Sequence, residues 1–410
     1  MTRVSVTFLI LVAFVASPVP AFAGGKISID DTKWISVGAG IRTSFRTTED
    51  ASPSGNDWSN DFDLNNARLY VNGQVHKYVK FEFNSECVFC GNSDLESYAL
   101  LDAIVKVEVN QYLNLWAGRL IVPGERQEMN GPYYSSTFDA YQTPFVSSDF
   151  SVKHGAGGAG VYARDQGLNL WGALGENREF QYVMGVFQGL QSTDKAGPNR
   201  DDNPLIAGRF AYNFLNVESN PGYYTSGTYY GGAGDLFTVA GSFQWQKDGS
   251  GSRANPGDYL ALMVDVLGEK VFDDVGVLTF NGEYKNFDSD YKDAAFARAG
   301  EDDDDNFGMF SGDAFSVALL YLIDADMGIG KVQPYAKFSG VYPDDSSDRD
   351  ELEVGVNYII DNHNASISLF YQYGDIQTKG LNYAPSGVPG VTGVTGDEVS
   401  SVVLGFQLQI

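Results

Sequence analysis

The chain is poor in positive charge: 27 lysines and arginines stand against 53 aspartates and glutamates, a formal net charge of −26. That balance excludes nucleic acid as a partner, because holding phosphates requires a basic surface. Only two cysteines (Cys87, Cys90) and three scattered histidines (His76, His154, His363) occur, too few and too dispersed for a four-ligand zinc site. The 14 prolines fall mainly between strand-like segments. Catalytic signatures are missing as well. There is no Gly-x-Ser-x-Gly elbow, no His-Glu-x-x-His and no phosphate loop, so neither an enzyme nor a cofactor is expected. No linker, repeat or composition break separates one half from the other. Beyond the first 23 residues no apolar run approaches the ~20 residues of a spanning helix. If the mature protein meets a membrane, it must do so as a barrel.

What is present begins with Met1–Ala23. Arg3, the apolar run Phe8–Val15 and the Ala21-Phe22-Ala23 end read as a secretory signal cut after Ala23. A membrane anchor is the alternative, and the run is short for one. Residues 24–410 then form a single domain.

That domain alternates. Sixteen segments carry a two-residue period: 34–46, 62–73, 78–86, 97–109, 112–121, 159–174, 179–189, 204–215, 235–246, 258–268, 276–287, 313–323, 331–341, 351–360, 364–374 and 398–410. In 235–246, Phe237, Val239, Phe243 and Trp245 oppose Thr238, Ser242, Gln244 and Gln246. Most segments match the 9–11 residues of a tilted transmembrane strand. With the high glycine, tyrosine and phenylalanine content, this predicts an all-β transmembrane antiparallel β-barrel of about 16 strands. Alternation alone does not separate it from a soluble sandwich. The leader, the strand lengths and the terminal strand Ser400–Ile410 favour the barrel.

The connections alternate too. With the first strand starting in the periplasm, even gaps should be short turns and odd gaps long external loops. That holds for most of them, and 216–234 is the clear exception among the even gaps. The longest odd gap, 122–158, has the length of a functional loop and is expected to fold into the pore. The alternative is a loop standing in solvent or packing between subunits.

The stretch Phe62–Tyr134 carries Asn66-Ala67-Arg68-Leu69-Tyr70-Val71-Asn72-Gly73, then Tyr78–Phe83, Leu101-Asp102-Ala103 and Trp116–Gly124. Arg164-Asp165-Gln166-Gly167 and Tyr182–Gly189 follow. In this order the pieces resemble the phosphate-selective porins (porins O and P) of bacterial outer membranes, over about half the mature chain. The resemblance implies a sixteen-strand barrel, a homotrimer, and diffusion of small anions such as phosphate. The chain differs from that pattern in its acidity and its terminal Ile410, so selectivity stays open.

On the polar face the charges of the first half are largely basic: Arg42, Arg68, Lys80, Lys106, Arg164 and Arg209. They are candidates to line the pore and bind anions. The alternative is structural pairing with the carboxylates Glu82, Asp102 and Glu108 on the same face. The acidic runs 288–312 and 342–350 would gather cations at the mouth or bridge divalent ions to lipopolysaccharide, without an EF-hand pattern. Cys87 and Cys90 are candidates for a disulfide in an exported chain. Gly91, not histidine, follows Cys90 and excludes a c-type haem.

The expected function is passive diffusion of small hydrophilic solutes or ions across the outer membrane. A rival is a structural barrel sheathing a multihaem cytochrome in an electron conduit. A third reading is a soluble secreted β-protein binding carbohydrate through its tyrosines.

Overall fold

The structure is a computed structural model describing residues 25–88, 97–139, 162–194, 197–251, 253–288, 311–344, 348–376, 378–379, 392–395 and 398–410. The leader, Cys90, His154 and most of the acidic run 288–312 lie outside the described residues.

The strands are β1 (Gly25–Ser28), β2 (Trp34–Thr48), β3 (Ser59–His76), β4 (Val79–Val88), β5 (Ser97–Glu108) and β6 (Asn114–Ile121). A short helix α1 (Arg126–Asn130) and a 3-10 turn (Pro132–Tyr134) follow. Then come β7 (Arg164–Leu174), β8 (Phe180–Phe187), β9 (Leu205–Asn213), β10 (Leu236–Gly251), β11 (Pro256–Phe272), β12 (Gly276–Asp288) and β13 (Gly312–Ile323). The last are β14 (Lys331–Pro343), β15 (Arg349–Asp361), β16 (Ala365–Gly374), β17 (Thr378–Lys379), β18 (Thr392–Thr395) and β19 (Val399–Gln409).

Each long strand pairs antiparallel with the next, and β19 closes the ring on β2 from Ser401↔Thr48 to Gln409↔Gly40. The result is a closed barrel of 16 strands with β1 as an extra one. Each of the sixteen expected segments contains a strand, 159–174 within its described part. β10 and β11 run further than the alternation suggests, because a bulge between Gln246 and Ser250 carries the hairpin on to Gly251↔Pro256. β1 and the small parallel pair β17–β18 had no counterpart in the sequence reading. β1 takes the edge of β2 beyond the last residue of β19, pairing Gly25↔Val37 to Ser28↔Trp34. Ile410 donates its N–H to the Ala39 carbonyl at 2.8 Å just before that stub. The edge of β2 that faces β19 is thereby paired from Trp34 to Thr48.

Polarity decides between the barrel and a sandwich. On β10, Thr238, Ser242, Gln244 and Gln246 are buried, whereas Phe237 (42%) and Trp245 (37%) are exposed. On β12, Thr279, Asn281, Glu283 and Lys285 are buried while Phe280 and Tyr284 are exposed. The same inversion places Ile41, Leu69, Val105, Leu168, Leu262, Leu319 and Leu369 on the outside. In water such a belt would be unfavourable by roughly 25 cal/mol per Å². Against hydrocarbon it is the stable face, and the polar residues line the interior.

Candidate functional site: the filled interior

Every basic residue singled out from the sequence lies on the inner face, and each has a partner there. Arg68 meets Glu86 at 2.6 Å, Arg164 meets Asp102 at 2.9 Å, Lys80 pairs with Glu108 and Lys106 with Glu82. Arg209 grips Asp265 through both terminal guanidinium nitrogens, Nη1 and Nη2. Arg42 donates to Asn66 Oδ1 (2.8 Å), to Gln407 Oε1 (3.1 Å) and to the Phe138 carbonyl, and its guanidinium lies 4.1 Å from the Phe138 ring centre. Glu82, Asp102 and Glu108 are therefore partners of these cations.

The segment after β6 turns into the lumen. Residues 122–139 cross it from the β12 wall to the β14, β19 and β2 walls. At the near side Lys285 reaches Glu125 at 2.7 Å, Glu128 at 3.4 Å and Glu283 at 4.0 Å, one ammonium among three buried carboxylates. At the far side Gln407 donates to the Tyr133 carbonyl (2.9 Å), Asn357 to that of Ser136 (3.3 Å) and Lys337 to that of Asp139 (2.6 Å). A segment without sheet partners needs such donors for its buried carbonyls, and a polar inner wall supplies them. Burial pushes the Asp139 carboxyl up, but Arg46 and Lys337 outweigh it and hold it below the usual carboxylate range. The aromatic side chains of this segment seat on glycines of the wall. A Cβ on Gly40 would stand 2.7 Å from the Tyr133 ring, and one on Gly405 2.7 Å from the Phe138 ring.

A second inward segment rises from the opposite end. The β9–β10 connection, 214–235, is the long even gap, and it folds up between the walls until it meets the first segment. Arg126 donates Nη2 to Glu218 Oε1 at 2.7 Å and Nη1 to Glu218 Oε2 at 2.8 Å. It also reaches the Ser226 carbonyl (2.9 Å) and Asp265 Oδ1 (3.2 Å). Thr225 Oγ1 donates back to the Arg126 carbonyl at 2.8 Å, and the Gly227 N–H to that of Tyr134 at 2.8 Å. Burial raises the Glu218 carboxyl, yet the Arg126 charge and hydrogen bonds more than offset it and hold it at about 2. Tyr223 and Tyr224 pack around Trp116 at 5.0 and 5.3 Å between ring centres.

This second segment is anchored below by Glu269, which accepts from Thr228 Oγ1 (2.6 Å) and the Tyr229 N–H (2.9 Å). His363, in the β15–β16 turn, donates Nε2–H to the Thr228 carbonyl at 2.9 Å. Burial pushes its imidazole down to about 4, against that hydrogen bond, so the ring is neutral at pH 7.

Two cavities flank the second segment at the short-turn end. One of about 620 Å³ lies against the β5–β9 wall and is lined by Trp171, Gln181, Arg209, Glu218 and Tyr223 among others. The other, about 470 Å³, lies by the β11–β14 turns with Asp273, Asp274, Asp324 and Lys331.

Sequence reasoning missed Arg126, Glu218 and Lys285. A signal for two of them was present: the longest odd gap, 122–158, and the even gap that broke the length rule, 216–234, each carry internal charge, and Arg126 of one meets Glu218 of the other. Cys87 is the penultimate residue of β4, and no cysteine among the described residues is free.

The chain matches no family model and no curated protein sequence. Among solved structures it resembles the anion-selective porin from Comamonas acidovorans, with TM-score 0.57 and 14% identity over 92% of this chain and 100% of that one. It also resembles Salmonella typhi OmpF in complex with daunomycin (TM-score 0.56, 12% identity, 94% and 100% covered). Pseudomonas putida OprB gives a TM-score of 0.56 at 9% identity, covering 92% of this chain and 94% of that one. At these identities the likeness is one of fold: the chain has the barrel of outer-membrane porins.

Proposed function

We propose that this protein is a bacterial outer-membrane channel that lets small hydrophilic solutes cross passively, its bore set by segments 122–139 and 214–235. The observation that carries the reading is the inverted polarity: an apolar belt outside and buried charge inside, crossed by the chain's own segments. The short-turn end would face the periplasm, and the mature chain would begin at Gly24 and assemble as a homotrimer, as the resemblance to phosphate-selective porins implies. Its other partners would be outer-membrane lipid and lipopolysaccharide.

The six basic residues support an anion ladder only in part, because their charge is shared with neighbouring carboxylates. A weak selectivity follows, with phosphate one of several solutes admitted. The sheath reading requires a lumen free for a cytochrome, whereas this one holds Arg126, Tyr133 and Tyr223 buried at its centre. The Cys87–Cys90 bridge remains a proposal for the β4–β5 loop, and alkylation with and without reductant, read by intact mass, decides it.

The test of the main reading is reconstitution of the purified protein in planar bilayers. Discrete conductance steps with a small reversal potential under a salt gradient are expected. Closed bilayers at every protein concentration tried, from protein recovered folded in the outer-membrane fraction, would overturn it.

A further inference from the structure

The 620 Å³ cavity at the short-turn end falls in the size range of small-molecule sites, and its lining has a particular chemistry. Among its aromatic rings are Trp171 and Tyr223. Both are braced by Trp116, Trp171 edge-on at 5.5 Å and Tyr223 tilted at 5.0 Å. Six amide side chains complete the set, and Asn110, Gln111, Gln181 and Asn220 each make their protein hydrogen bonds through one end only. Gln181 donates Nε2–H to the Glu218 carbonyl at 3.4 Å, and Asn220 donates Nδ2–H to Glu218 Oε2 at 3.5 Å. Their amide oxygens remain as acceptors. Asn110 Oδ1 accepts the N–H groups of Tyr112 (2.7 Å) and Leu113 (2.9 Å), and Gln111 Oε1 accepts from Arg178 Nε at 3.2 Å. Their NH₂ groups remain as donors.

Of the fixed charges in the same lining, the buried arginines are held by carboxylates and Glu108 by Lys80, while Arg178 is exposed and donates to Gln111. Arg126 is held by Glu218 and Asp265, and Arg209 by Asp265. An anion reaching Arg126 or Arg209 would have to displace a buried carboxylate from its pair. A neutral ligand meets no such cost. A hydroxyl both donates and accepts one hydrogen bond, which amide oxygens and amide NH₂ groups satisfy in pairs. The C–H faces of a pyranose are apolar and would lie on braced aromatic rings.

From this arrangement we propose that the cavity is a binding subsite for a neutral mono- or disaccharide on its way through the barrel. The proposal rests on the channel reading for its route. The subsite itself is testable without it.

The probe is sucrose, with a polyethylene glycol of similar hydrodynamic size as the comparison. In planar bilayers, sucrose added to each compartment in turn should lower ion conductance saturably and more strongly from one side, while the polymer lowers it in proportion to viscosity. In the Gln181→Ala, Asn220→Ala double variant the half-blocking concentration should rise tenfold or more, each block being scaled to the variant's own open conductance. Heat-dependent gel migration checks that this variant is folded. In detergent micelles, sucrose should shift tryptophan fluorescence saturably, and Trp171→Phe should remove most of that shift. A linear fall in conductance equal to the polymer's, or a block unchanged in the double variant, would overturn the subsite. Should the protein not conduct, the channel reading fails, and the fluorescence titration alone decides the subsite: saturation supports it and a flat response sinks it.

Discussion

Arg126 and Glu218 form a two-pronged ion pair, 2.7 and 2.8 Å, between segments that enter the barrel from opposite ends. Neither side chain is more than 3% exposed. The pair fixes the depth at which the two segments meet, and each carries the other's charge out of contact with water.

Removing one member should therefore cost more than removing both. Arg126→Met leaves Glu218 buried without its counter-charge, a loss of about 3–5 kcal/mol for such pairs. The temperature at which the folded band disappears from heat-modifiability gels should fall, and single-channel records should become noisier. The double variant Arg126→Met, Glu218→Gln should recover part of the lost stability. Equal losses in single and double variants would mean that the pair does not hold the segments together.

Acid should loosen the second segment through His363. Its unfolded imidazole titrates near 6.5 and its folded one near 4. Between those values the released ring binds more protons than the docked ring, so stability rises with pH in that window and falls on acidification. The groups facing the ring include the Tyr134 and Tyr230 rings, the Ser226 hydroxyl and the Thr228 and Tyr133 carbonyls, none of which carries charge there. The effect should be on the order of 2 kcal/mol for a partly accessible ring. Conductance measured from pH 7 to pH 4 should change with a midpoint inside that window, and His363→Gln should flatten the profile.

Selectivity should respond to which partner of a pair is removed. Arg68→Ala leaves Glu86 unpaired and should move the reversal potential toward cations, while Glu86→Gln should move it toward anions. Lys106→Ala and Glu82→Gln should likewise shift it in opposite directions, toward cations and toward anions respectively. Should both members of a pair shift the potential in the same direction, these residues lie off the ion path.

Wall glycines set how close the first segment approaches. Gly40→Val and Gly405→Val would each push a ring, Tyr133 or Phe138, away from its seat, at a cost of about 1–3 kcal/mol. Limited proteolysis should then cut within 122–139 faster than in the native protein, with the strand ladder unchanged by circular dichroism.

The first link in the chain of cause was legible from residues alone. A period of two, repeated sixteen times at membrane-crossing length, determined the strands, since successive side chains must face opposite sides of a sheet. Gap parity sorted turns from loops, and the even gap that broke parity proved to be the segment that enters the lumen. The partners of Arg68, Lys106 and Arg209 were a different matter. Cross-strand neighbours such as Lys106 and Glu82 depend on strand register and tilt, which local sequence does not set. Arg126 and Glu218 lie 92 positions apart in two irregular segments, and only closure of the ring brings them together. The sequence by itself determined strands with one apolar and one polar face, because its alternation has a period of two; closure of the sheet with the apolar face outward is read from the structure. Only the tertiary structure decided how far that sheet's interior is filled and by what, because hydrogen bonds and ion pairs across a lumen depend on distances that no periodicity encodes.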